Sequence, residues 1–100
     1  MIEIELPEEW KHLKTRAVDV LQSLGVSRGV LVVNFDRIDD CEGYTVDMYD
    51  YVEVLIDKKD TLVLAHELIH VAQALNNEPF SEEPAYRLEA QYKEVLDDME

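Results

Sequence analysis

Cysteine is nearly absent from this 100-residue chain, Cys41 being the only one. A single thiol excludes an internal disulfide framework and fits a reducing compartment, the cytoplasm. Glycine and proline are also scarce, three of each, so the connecting loops are expected to be short. No apolar run reaches the ~18 residues that a membrane-spanning helix needs. The first ten residues, MIEIELPEEW, contain no basic side chain and do not form a secretory leader. Basic residues are few throughout. Nine Lys and Arg face 23 Asp and Glu, a formal net charge of -14. A field of that sign repels phosphate backbones and anionic lipid. Nucleic acid and membrane surfaces are therefore excluded as partners, while basic or neutral polypeptide is not. The hydrophobic fraction, 47%, suffices for a packed core. With no repeat, linker or low-complexity tract, residues 1–100 read as one domain.

Hydrophobic periodicity divides the chain into short elements. Met1 to Leu6 alternates apolar and acidic residues, a strand with Ile2, Ile4 and Leu6 on one face. Pro7 opens a helix whose stripe runs Trp10, Leu13, Ala17, Val20, Leu21, Leu24, with Gly25 as its stop. Gly29 to Phe35 is a continuous β-branched run, a buried strand. Tyr44 to Asp57 holds one or two further strands, with Tyr44, Tyr49 and Tyr51 assigned to sheet packing. Asp60 is the N-cap of a helix from Thr61 to the Asn76-Asn77 pair. Ser81 caps a last helix with the stripe Ala85, Leu88, Tyr92, Val95 or Leu96, and Met99. Strands with hairpin spacing beside helices predict an α+β fold with a small, mostly antiparallel sheet.

Only three histidines occur, and two stand together in the helix that starts at Thr61, in His66-Glu67-Leu68-Ile69-His70. Residues four apart in a helix share a face. His66 and His70 can thus present two imidazole nitrogens to one ion, and a zinc ion takes such nitrogens at about 2.0–2.1 Å. Glu67 sits about 100° round the helix from His66. It borders the ion without needing to bind it, and is the candidate general base toward a water whose pKa the metal lowers to ~7. Leu64, Leu68, Val71 and Leu75 form a back stripe expected to face the sheet. Thr61, Ala65, Ile69 and Gln73 join the histidines on the front. The bland alternative is a metal-free domain whose two histidines are satisfied by backbone or water.

Zinc in a catalytic site takes a third protein ligand and keeps one position open. No histidine follows His70, and Cys41 lies between Asp40 and Glu42, acids that raise a thiol's pKa. Carboxylates remain: Glu78, Glu82, Glu83, Glu89 and Glu94. A short turn after the histidine helix favours Glu82 or Glu83 at the start of the next one, with Glu89 two turns further along.

The HELIH motif, followed by the Glu-x-x-Ala pattern in EEPAY, resembles the gluzincin metallopeptidases, and the chain's size is similar to that of their minimal single-domain members, the minigluzincins and phage-encoded relatives. The resemblance spans roughly Tyr51 to Tyr92. It implies His66 and His70 as zinc ligands, Glu67 as general base, and Glu82 as third ligand, since Glu82 stands three before the small residue Ala85. Glu83 and Glu89 are the alternatives. The pattern departs at Tyr86, where an acid or amide usually follows the small residue. A tyrosine hydroxyl there is a candidate to support a histidine from behind or to stabilise an oxyanion. The resemblance implies a zincin-like fold, a backing helix and a histidine helix on the sheet with a glutamate helix after them. It also implies zinc-dependent endopeptidase activity. The expected partner is a polypeptide lying extended along an edge strand, Tyr51 to Asp57 or its hairpin neighbour. The alternative is a latent or inactive zinc-binding domain of the same fold. The acidic C-terminal tail, residues 97–100, is a candidate plug for the cleft.

Overall fold

The computed structural model describes residues 1–98. It is α+β, with one four-stranded sheet and three α-helices. The strands are β1 (Ile2–Glu5), β2 (Gly29–Phe35), β3 (Gly43–Asp47) and β4 (Val52–Ile56). The helices are α1 (Lys14–Ser23), α2 (Thr61–Leu75) and α3 (Glu82–Leu96). Among the described residues, no helix is long and apolar enough to cross a membrane.

The sheet corrects one expectation. Its order is β1-β2-β4-β3. β1 pairs with β2 and β2 with β4 in parallel, and only β3 and β4 are antiparallel. The sheet is mixed and mostly parallel. Connectivity is the reason. The helical segment after β1 carries the chain back to the end where β1 began, so β2 must run alongside it in the same direction. The chain then passes beyond the place of β4, lays down β3, and turns back to fill the gap. A hairpin is present, yet its second strand is internal. Tyr51 to Asp57 therefore has no free edge; of the two hairpin strands, it is β3 that has one.

Local chemistry explains the element ends. The first helix begins as a 3₁₀ segment, Glu8–Leu13, with Trp10 N–H bonded to Pro7 O at 2.9 Å. Residues three apart align in that tighter helix, so Trp10 and Leu13 both enter the core. α1 stops where Gly25, at φ +89, lets its N–H reach Gln22 O and lets Val26 N–H reach Leu21 O. Asp60 accepts Leu62 N–H at 2.8 Å and starts α2. Asn77, at φ +59, closes α2 in the same way as Gly25 closes α1, with bonds to Ala74 O and from Glu78 N–H to Gln73 O. The stripe of α3 buries Ala85, Tyr92 and Leu96. Met99 lies outside the described residues.

α2 is the hub, packed against α3, β3, β4 and α1. Leu64, Leu68 and Val71 are fully buried as the back stripe requires, while Leu75 is half-buried. The front is not an open working face. Ala65, Ile69, His70 and Gln73 are also buried, as expected of a helix apolar nearly all round.

Close approach of β3 to α2 depends on Gly43. A Cβ there would lie 2.8 Å from Val63 Cγ1 and 3.2 Å from Leu55 O. Gly43→Ala is expected to destabilise by about 1–3 kcal/mol, the usual cost of overpacking. Urea denaturation measures this, and a variant as stable as wild type would contradict the close contact.

Candidate metal centre

β3, α2 and the start of α3 enclose a cleft of about 550 Å³ whose lining includes Thr45, His66, Glu67, His70 and Glu82. The one-turn step on α2 brings both imidazoles to one side, ring centroids 5.0 Å apart. The turn after Asn77 then folds Glu82 back over them. Its Oε1 is 2.8 Å from His70 Nε2 and 3.1 Å from His66 Nε2. One donor atom from each of the three residues lies within 4.8 Å of the others. No other group of three metal-ligating side chains gathers this way among the described residues. A tetrahedral zinc ion spaces its ligand atoms about 3.3 Å apart, as its bond lengths dictate. Both nitrogen–oxygen separations are close to that spacing, and two imidazole nitrogens with one carboxylate oxygen are a donor set that fits such an ion.

Each histidine is braced on its far side. His70 Nδ1 is 2.9 Å from Gln73 Oε1. His66 Nδ1 is 3.5 Å from Glu89 Oε2, long for a hydrogen bond but close enough for electrostatic support. Phe80 packs on the His70 ring and Tyr86 on the His66 ring. The Tyr86 ring, not its hydroxyl, meets the histidine, and that hydroxyl makes no hydrogen bond among the described residues. The bracing foreseen from Tyr86 therefore comes from Glu89. Glu83 points elsewhere, into a 2.9 Å ion pair with Arg87. Asp97 is bonded to Thr61 and Lys93 at the start of α2 and does not line the cleft. Residues 99–100 of the tail lie outside the described residues.

Glu67 is buried, 4% exposed, yet it reaches the cleft wall. Thr45 Oγ1 donates to its Oε1 at 2.7 Å. Burial pushes the Glu67 carboxyl above its ordinary range. The Thr45 hydrogen bond and the charges of His66 and His70 oppose that rise without cancelling it, and the nearby Glu82 charge adds to it. Partial desolvation pushes Glu82 the same way. There the hydrogen bond and charge of His70, with those of His66, outweigh it and hold the carboxyl below its usual range.

Sequence reasoning did not single out Thr45. Nothing near residue 45 announces that its strand will lie against a helix 22 residues onward. Gln73 falls on the front of α2 in the sequence pattern, and its position three after His70 puts the two on one face. Searches of family models, curated proteins and solved structures find no match to this chain.

Proposed function

We propose that the chain is a minimal zinc metallopeptidase of gluzincin type, zincin-like in fold, that cleaves internal bonds of an extended polypeptide. The observation that carries this reading is the meeting of two imidazole Nε2 atoms and the Glu82 carboxylate in a cleft that also holds a buried, basic-shifted glutamate. His66, His70 and Glu82 would hold the ion. When bound, zinc supplies a water deprotonated near neutral pH and a positive charge for a carbonyl oxygen.

The remaining work belongs to the protein's own groups. Thr45 holds Glu67 Oε1 and leaves Oε2 to the cleft, since it makes no hydrogen bond among the described residues and is not sealed from solvent. A carboxylate more basic than usual is suited to accept a proton there and return it to a leaving amine. The substrate's backbone is met by β3. Asp57 N–H bonds to Glu42 O and Met48 N–H to Tyr51 O. The alternation of an antiparallel ladder then turns the backbone groups of Gly43, Thr45 and Asp47 to the free edge. Gly43 and Thr45 line the cleft, so a peptide added to that edge would run past the three ligands.

Elemental analysis tests the metal. Purified wild type is expected to carry about one equivalent of zinc, matching one three-ligand site, and His66→Ala none. A wild type that binds no zinc when it is supplied would sink the reading.

A further inference from the structure

We infer that Gln73 is a positioning residue. Wired to the backbone of Ser81, it fixes His70 as the Nδ1–H tautomer and so aims the Nε2 lone pair at Glu82. The inference deepens the metal-site reading above and rests on it only for the consequence to zinc affinity.

The assignment follows from one unambiguous donor. Ser81 backbone N–H can only donate, and it donates to Gln73 Oε1 at 3.0 Å. The other end of the amide, Nε2, donates to Ser81 O at 3.1 Å. Rotating the amide by half a turn would set donor against donor and acceptor against acceptor, so the orientation is fixed. Gln73 Oε1 is therefore an acceptor where it meets His70 Nδ1 at 2.9 Å. The imidazole must place its proton on Nδ1. The opposite nitrogen, Nε2, is then the one that faces Glu82 Oε1 at 2.8 Å with its lone pair. Two acceptors meeting so closely repel unless a cation lies between them or a proton is added, and that is the arrangement of a ligand set ready for metal.

Burial makes the arrangement exclusive. Gln73 is 6% exposed and His70 8%, and Phe80 packs on the His70 ring. Water has little access to replace the amide. Without the Gln73 oxygen, an Nδ1 proton would be buried and unpaired, a costly state. The cheaper solution moves the proton to Nε2, where Glu82 would accept it and the lone pair would be lost. Ser81 also immediately precedes Glu82. One side chain thus registers two of the three ligands, His70 directly and Glu82 through its neighbour.

His66 is treated differently. Its Nδ1 faces the carboxylate of Glu89, so the two histidines have unlike partners, one charged and one neutral.

The test reads the tautomer in metal-free protein by long-range ¹H–¹⁵N correlation of the imidazole rings in alkaline solution, and zinc affinity by chelator competition. Wild type is expected to show Nδ1–H at His70. Gln73→Leu should shift the ring toward Nε2–H and weaken zinc by about 10–100-fold, the usual effect of losing a partner behind a ligand. Gln73→Glu keeps an acceptor for both His70 and Ser81 N–H, and should retain the Nδ1–H tautomer. An Nε2–H tautomer at His70 in wild type overturns the inference, whether or not Gln73→Leu folds. So does an unchanged tautomer in a folded Gln73→Leu. A wild type with the expected tautomer that binds no zinc sinks the metal reading and leaves the tautomer assignment standing.

Discussion

Glu67→Gln is expected to lower hydrolysis of a panel of denatured proteins by about 10²–10⁴-fold, the range that general-base catalysis supplies, while zinc uptake is kept. The amide matches the carboxylate in shape, and its oxygen can still accept the Thr45 hydroxyl proton held at 2.7 Å. What it cannot do is take up a proton. The same variant should be more stable than wild type once zinc is stripped by chelator. Burial raises the Glu67 pKa above its unfolded value of 4.5, against the opposing pull of Thr45, His66 and His70. For an acid shifted upward, the stabilising contribution is complete below the unfolded pKa and is lost as pH rises through the folded one. Glutamine has no such loss. The melting-temperature advantage of Glu67→Gln should therefore be small in acid and widen toward neutral pH. An advantage that does not change with pH would refute the burial argument. A zinc-loaded wild type as inert as the variant on the protein panel would refute the enzyme and favour the latent zinc-binding domain.

Glu82→Ala should weaken zinc binding by more than about 100-fold, since loss of a ligand exceeds the ~10–100-fold that loss of a brace behind one costs. Three of the four acids on α3 make the experiment selective. Glu82 Oε1 meets both imidazoles, Glu89 stands behind His66, and Glu83 pairs with Arg87. Chelator competition should rank the alanine variants in that order, with Glu83→Ala indistinguishable from wild type. Equal affinities for Glu82→Ala and Glu83→Ala would remove the carboxylate from the site.

Local structure was legible in the sequence because its causes are local. Asp60 marks the start of α2, Asn76-Asn77 its end and Gly25 the end of α1, each through a backbone or capping bond a few residues long. The alternation Val52, Val54, Ile56 matches the buried face of β4. Ser81 is at the N-cap of α3 as read, but its side chain makes no capping bond. Its backbone is held by Gln73 instead. The sheet order was not legible, because the place of β4 between β2 and β3 depends on how the chain returns rather than on any residue's preference. Pairs such as Thr45–Glu67 and His66–Glu89 depend on that order or on helix packing, so they could not be read either. The convergence of His66, His70 and Glu82 lay between these cases. Helical spacing placed the first two together. A short turn admitted more than one acid as the third, and the pattern of the resembling family chose among them.

The place of β3 at the sheet margin has a dynamic side. Only β4 holds it by a ladder of hydrogen bonds, and an outermost strand is among the first parts of a domain to open transiently. Thr45, whose hydroxyl holds the buried Glu67 carboxyl, rides on that strand. Each breathing motion of the margin would loosen Glu67 and widen the cleft at once, and the peptide of the proposed reading, by supplying a second ladder, would quiet both.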